Sequence, residues 1–295
     1  MAATYRVEHE TKYVYRTPVA TSQHVAYLRP RSLDYQHVHR HELRVEPVPA
    51  SSARRVDFFG NLVDQFQILR PHSRLLVSAE SIVEVLARPS EQDLDVSPRW
   101  EEVSRELMLR AGTIPPGVPQ YAQRSPYVTD SCEMAAFAQA SFPAGRALLD
   151  GAVDLMHRIH DGFEFDPQAT TLTTPLTRVL EQRRGVCQDF AHVAVGCLRS
   201  IGLAARYVSG YLLTDPPPGQ PRLVGADASH AWIGVYCPIN GWVDLDPTND
   251  VIAGERHVTV AWGRDYGDVS PLRGVLLGGA GHTLHVAVSV TPLSS

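Results

Sequence analysis

The sequence predicts an α+β protein in two parts, and three observations carry that prediction. Polar and apolar residues alternate through much of the first 88 positions, as in antiparallel strands with one buried face. Apolar residues recur at helical spacing between 133 and 201. Strand-like runs return after 204, and two of them flank Asn240-Gly241, a strong hairpin signal. The length of 295 residues suits about two domains, and 44% hydrophobic with 20% charged residues is a globular balance.

The same composition excludes several classes of function. Net charge is −5, from 27 basic and 32 acidic residues, and no basic run stands out, which argues against a nucleic-acid partner. No run of about eighteen apolar residues exists, so no membrane span is expected. The first twenty residues lack the apolar core of a signal peptide, so a cytoplasmic location is the expectation. The four cysteines, Cys132, Cys187, Cys197 and Cys237, are too few for a disulfide framework and none are spaced as a zinc-ligand pair.

Taken in order, residues 4–16, 42–48 and 56–69 alternate, the last folding back at Gly60-Asn61, and 75–86 is rich in β-branched residues. Short strands between turn signals predict an antiparallel β-sandwich over residues 1–88. His37, His39 and His41 share one face of a possible strand. They read either as a metal site or as a solvated face, and the second is preferred because no further ligand is spaced to complete a shell. Residues 89–131 form a Pro-rich connector. In it Ser97 is expected to cap a short helix with Pro98 at its first position, and Tyr121 and Tyr127 are expected to pack inward.

A core over 132–295 follows. Helices are predicted at 133–141 and 145–161, the second with Leu148, Leu149, Val153, Met156 and Ile159 on one face and with His157 and His160 as structural residues. Thr174-Pro175 opens a helix over 175–184 that Gly185 ends, with Arg183 and Arg184 forming its solvated end. A helix over 187–201, a strand over 204–213, a loop at 215–219, the hairpin, and alternating tails at 257–262 and 283–290 complete the chain, the tails continuing the core sheet.

The chemistry centres on residues 184–203. Phe190, Ala194, Leu198 and Ile201 make one apolar helix face, Gly202 stands at the C′ position, and Cys187 falls in the first turn. Unpaired amides and the helix dipole there favour the thiolate, which is the nucleophilic form. A small buried hydrophobe is the plainer reading of the same cysteine. His230 opens the first hairpin strand and Asp246 closes the second, a base and a carboxylate to orient it. Asp244 shares the strand parity of Asp246, so alternation leaves both open. A two-residue Asn240-Gly241 loop would pair Ile239 with Trp242 and send His230 and Asp246 to opposite faces. A three-residue loop with Gly241 left-handed would bring them to one face.

Gly185-Val186-Cys187-Gln188-Asp189-Phe190-Ala191, Ser229-His230-Ala231-Trp232 and Asp246-Pro247-Thr248-Asn249 resemble, in this order, the three motifs of the bacterial transglutaminase-like superfamily. Tyr5 to Thr11 and Phe59-Gly60-Asn61 resemble the β domain that precedes the core in these proteins. The resemblance implies a papain-like, transglutaminase-like core and cysteine acyl transfer on peptide or protein amides. Cys187 would be the nucleophile, His230 the base and Asp246, rather than Asp244, the orienting residue. The Cys187 amide would hold the oxyanion. The acceptor would be water, in a peptidase or amidase, or an amine, in a transglutaminase. No metal or cofactor is expected.

Gln188 and Trp232 are candidate substrate contacts, set against a surface position and core packing. Asp189 reads as a first-turn carboxylate, His192 as structural, and Cys197 and Cys237 as buried thiols. Arg264-Asp265-Tyr266 and Asp268 resemble a polar stretch of relatives and read either as a substrate contact or as a salt-bridged turn. Two rival functions remain: a non-catalytic peptide-binding or scaffold protein on the same fold, and a metal-dependent amidase using the histidine strand.

Overall fold

The computed structural model describes residues 2–88, 96–109, 114–129, 131–214 and 229–293. The N-terminal strands are β1 (Ala2–Ala26), β2 (Gln36–Glu46), β3 (Ser51–Val56), β4 (Leu62–Ile68) and β5 (His72–Leu86). In β1 every second residue from Tyr5 to Thr11 is buried, the alternation expected of a strand with one core face. Its register against β5 breaks between Val14 and Val19. Pro18, which has no amide to donate, lies in that break. Before the break β1 runs between β5 and β14 (His282–Leu293); after it, between β4 and β13 (Leu272–Gly278). The expected antiparallel sandwich is thus one seven-stranded sheet whose two halves hinge on β1. Tyr15, Phe66, Ile68, Leu75 and Val77 form the core of this folded sheet.

β13 and β14 correct the sequence reading. Residues 283–290 form a strand as expected, but it pairs with β1 and not with the core sheet. Alternation specifies a strand with one buried face; it does not specify which sheet receives it. The two C-terminal strands, which follow one another along β1, therefore belong to the N-terminal domain. The three histidines of β2 are corrected too. The register against β5 shifts between Val38 and Arg40, so His37 and His41 fall on opposite faces. His39 bonds Glu84 at 3.1 Å and His41 bonds Ser81 at 2.9 Å.

The core begins with α1 (Trp100–Leu109), α2 (Cys132–Gln139) and α3 (Leu148–Gly162). Ser97 does not cap α1. Its hydroxyl accepts the Leu149 amide at 3.1 Å, capping α3, whose own N-cap is Ala147. Then come β6 (Glu164–Phe165), α4 (Leu176–Gln182), β7 (Arg184–Gly185) and α5 (Cys187–Ser200). Arg183, not Gly185, ends α4, with a left-handed φ of 51°, and this frees Arg184-Gly185 to pair with β6. Gly202, with φ of 81°, follows α5 at the expected C′ position.

The second sheet has the order β11-β10-β9-β8-β12, from β8 (Ala205–Leu212), β9 (Ser229–Cys237), β10 (Gly241–Asp246), β11 (Val251–Ile252) and β12 (His257–Gly263). A short helix, α6 (Tyr266–Val269), follows β12. The expected loop at 215–219 lies outside the described residues. α5 is buried along most of its length between this sheet and the other helices, with Phe190, Ala194 and Leu198 in the main core. Tyr121 is 5% exposed and joins that core, while Tyr127 stacks on His192. No helix among the described residues is long and apolar enough to cross a membrane.

β12 is an edge strand, and the N-terminal domain covers its open side with side-chain amides in place of a neighbouring strand. Gln36 donates to the Thr259 carbonyl at 2.8 Å and accepts the Thr259 amide at 2.7 Å. Asn61 does the same for Trp262 at 2.9 and 3.0 Å. Each amide side chain reproduces one rung of a β-ladder, so the buried edge keeps no stranded donor there.

Candidate active site

Cys187 stands where a strand turns into a helix. Val186 is the last extended residue, and Cys187 is the first of α5. The Asp189 carboxylate turns back to accept the Val186 amide at 2.9 Å and the Thr170 hydroxyl at 2.7 Å. It is therefore the first-turn carboxylate the sequence indicated. A Cβ on Gly185 would lie 2.5 Å from an Asp189 oxygen. Glycine is needed here for space against this carboxylate, not for a positive φ. The amides of Cys187 and Gln188 have no intrahelical acceptor by position, so the thiol sits at the positive end of the helix.

The hairpin brings in the other two groups. Cys237 pairs with Gly241 across the three residues Pro238, Ile239 and Asn240, and Gly241 is left-handed with φ of 70°. This is the loop that puts His230 and Asp246 on one face. Extending the Leu245–Ile233 register makes them diagonal neighbours. His230 Nε2 lies 2.7 Å from Asp246 Oδ2. Asn249 Nδ2 lies 3.1 Å from the same nitrogen, which leaves Nδ1 for Cys187, the thiol that interacts with the ring.

The electrostatics of this group follow from its contacts. Burial disfavours the His230 cation, but the hydrogen bonds to Asp246 and Cys187, with their negative charge, outweigh it and raise the pKa to about 10. Asp246 is 0% exposed. Burial opposes its charge, yet hydrogen bonds from His230 and His257 hold it well below the usual carboxylate range. Its Oδ1 accepts the Thr248 and Asn249 amides at 3.0 and 3.2 Å. Its Oδ2 faces His230, the Asn249 side-chain amide at 2.7 Å and His257 Nε2 at 3.1 Å. Tyr207 is buried beside the thiol, and burial together with Cys187 pushes its phenol well above the ordinary value.

Asp244 plays a different part. It is 5% exposed and ion-paired with Arg88 at 2.9 Å and Arg206 at 3.2 Å. Its tie to Arg88 links the end of the N-terminal domain to the hairpin. A Cβ on Gly234 would lie 2.7 Å from both Arg206 Nε and Asp244 Oδ1, so glycine makes room for this pair.

The remaining candidates separate cleanly. Trp232 is 0% exposed, packed with Val208 and Ala253, and its indole points at Asp244. Fully buried, it is a core residue and not a surface that substrate could reach. Gln188 is half-buried in the first turn of α5, next to Cys187. His192 is 3% exposed, stacked on Tyr127 with Tyr207 tilted against its ring, and accepts the Tyr266 amide at 3.1 Å. Cys197 and Cys237 are buried, whereas Cys132 is exposed. Arg264 and Asp268 form a two-pronged ion pair at 2.9 and 3.0 Å, and Asp265 caps α6, so this stretch is a salt-bridged turn. His157 and His160 of α3 hold the turn after Asp246 through Asp250 and the Thr248 carbonyl.

Two residues of the group escaped the sequence reading. Asn249 lay inside the third motif but was given no role. His257 opens the strand that follows, and only the pairing of β12 with β8 brings it near Asp246. His230, Asp246 and His257 place ligand-type atoms within 4.8 Å of one another, the one such group among the described residues. The fit to a metal is poor: both rings aim a nitrogen at the same Oδ2, which also takes the Asn249 amide, a closed hydrogen-bonded set with no open ligand face.

Comparison with known proteins agrees with this architecture. A family described as "Bacterial transglutaminase-like N-terminal region" matches residues 5–84, and "Transglutaminase-like superfamily" matches residues 136–247. An uncharacterized protein of Mycobacterium tuberculosis is 38% identical over 300 residues, covering 98% of this chain and 92% of the relative. A protein-glutamine gamma-glutamyltransferase of Pseudomonas aeruginosa is 35% identical over 102 residues, which are 32% of this chain and 15% of that protein. The crystal structure of a candidate cysteine protease from Cytophaga hutchinsonii has the same fold, with a TM-score of 0.78 at 17% identity over 100% of this chain and 92% of that one. The chain belongs to the transglutaminase-like superfamily.

Proposed function

We propose that this protein is a cysteine acyl-transfer enzyme acting on peptide or protein amides through Cys187, His230 and Asp246. The observation that carries the reading is one histidine ring held between a buried carboxylate at 2.7 Å and a thiol at the first residue of a buried helix. Membership of the superfamily supports it, and so does the transferase named among its partial relatives.

Each atom has a task in this mechanism. His230 Nδ1 takes the thiol proton as sulfur attacks, and the raised pKa of the ring, about 10, favours holding that proton. Cys187 Sγ attacks the amide carbon, and the Cys187 amide donates to the oxyanion. The C–N bond breaks as His230 returns its proton to the leaving amine, and a thioester remains on Cys187. Water or a second amine then loses a proton to His230 and attacks the thioester carbon. The product is a carboxylic acid or a new amide, and the thiol is restored. Asp246 stays ionised throughout and holds the ring in the tautomer that presents Nδ1 to sulfur. Gln188, half-buried beside Cys187, is the position proposed to touch the substrate.

The test uses the protein's own internal reference. Brief exposure to iodoacetamide followed by intact-mass and peptide analysis compares Cys187 with the exposed Cys132. The expected result is selective Cys187 labelling that His230→Ala abolishes; equal rates at the two thiols would overturn the proposal. Peptide libraries incubated with and without added amine then distinguish hydrolysis from amide exchange.

A further inference from the structure

His257 makes two hydrogen bonds that together fix its proton. Its Nδ1 lies 3.3 Å from the Gly254 amide, and its Nε2 lies 3.1 Å from Asp246 Oδ2. A backbone amide can only donate, so Nδ1 is the bare nitrogen. The single proton of the neutral ring is then on Nε2, aimed at the carboxylate. The ring is 2% exposed and immobilised: Trp232 packs edge-on against it at 5.1 Å, and the Arg88 guanidinium reaches the His257 carbonyl at 3.4 Å. The titratable and charged groups around it are Asp246, His230, whose ring centroid is 6.4 Å away, and Arg88.

We propose that His257 is a positioning residue of the site: a neutral donor, with its tautomer set by the Gly254 amide, that holds Asp246 Oδ2 in line with His230 Nε2. Five donors converge on the Asp246 carboxylate, and His257 is the one contributed by an element outside the hairpin and its turn. It ties β12, and through β12 the N-terminal domain, to the orientation of His230. Asp246 would otherwise be fixed only by residues of its own hairpin. The proposal rests on the reading of Cys187 and His230 as nucleophile and base.

The test combines a spectrum of the native protein with two substitutions. Long-range nitrogen–proton NMR of the histidine rings is expected to show His257 protonated at Nε2 and bare at Nδ1. His257→Phe fills the volume without a donor, whereas His257→Gln can still present an N–H. The rate of Cys187 alkylation is followed against pH, with unfolding midpoints measured on the same samples. Loss of one orienting hydrogen bond to a charged group predicts that the Phe variant is slowed about tenfold with a displaced pH profile, and that Gln restores most of the rate. A native His257 protonated at Nδ1, or a folded Phe variant with the wild-type rate and profile, would overturn the proposal. If the Phe variant does not fold, the tautomer decides. Slow wild-type Cys187 would instead defeat the acyl-transfer reading, and the positioning role with it.

Discussion

Exchanging either hairpin aspartate for asparagine should separate the two roles that strand parity alone left joined. In Asp246, Oδ1 serves two backbone amides and Oδ2 serves three side-chain donors. Asparagine offers one oxygen. Whichever way the amide turns, at least two buried donors lose their acceptor, each at about 1–3 kcal/mol, so the loss of stability is roughly 2–6 kcal/mol. The reactivity effect is larger. An amide NH2 facing His230 Nε2 moves the ring proton to Nδ1, where the ring can no longer accept from sulfur. Misplacing that proton costs on the order of 10⁴-fold in triads of this kind. Asp244→Asn instead strands the Arg88 and Arg206 guanidinium groups, and breaking such a buried pair costs about 3–5 kcal/mol. It touches neither His230 nor Cys187. The assay is the rate of Cys187 alkylation in the folded fraction, with denaturant unfolding alongside. A folded Asp244→Asn with a silenced thiol beside a reactive Asp246→Asn would refute the reasoning.

Three further outcomes follow from the same geometry. Gly185→Ala brings a methyl group to 2.5 Å from the Asp189 carboxylate; overpacking of about 1–3 kcal/mol and slower Cys187 alkylation are expected in unfolding and labelling experiments. Gln36→Leu strands the amide and carbonyl of Thr259 on the edge of β12; the urea midpoint should fall by the equivalent of roughly 2–6 kcal/mol while labelling of the folded fraction is unchanged. The His230–Asp246 pair gives a signed pH dependence. Because the His230 pKa is raised from 6.5 to about 10, its contribution to stability is complete below 6.5 and lost as pH rises through about 10. The Asp246 contribution has the opposite sense, present above its ordinary value of 3.8 and lost on acidification. The stability difference between wild type and His230→Ala should therefore shrink from 6.5 upwards, as unfolding curves across pH would show; a difference that grows through that range would contradict the raised pKa.

Local patterns proved legible where one chain segment decides the outcome. The span of α5 and its C-terminal end followed from apolar spacing and Gly202. The hairpin parity argument turned on Gly241, whose left-handed φ selects the three-residue loop. Contacts between distant segments left no comparable trace. Ser97 precedes its own helix as a cap should, yet serves α3 because the connector folds across that helix end. The tail alternates as a core strand would, yet returns to β1. Trp232 shares strand parity with His230, but parity does not distinguish a cleft wall from a layer sealed beneath it. His257 carried no motif signal because its partner is set by strand order: β12 lies beside β8, at the opposite edge of the sheet from β11.

The most direct test of the central account is to trap the acyl-enzyme. An activated ester of an N-acylated glutamine peptide, quenched in acid within its first turnover, should leave a single thioester adduct whose mass maps to the peptide containing Cys187. The adduct should vanish in Cys187→Ala, be strongly reduced in His230→Ala and disappear on prolonged incubation or with added amine. An adduct shared equally with Cys132, or one indifferent to His230, would show that Cys187 and His230 do no acyl transfer.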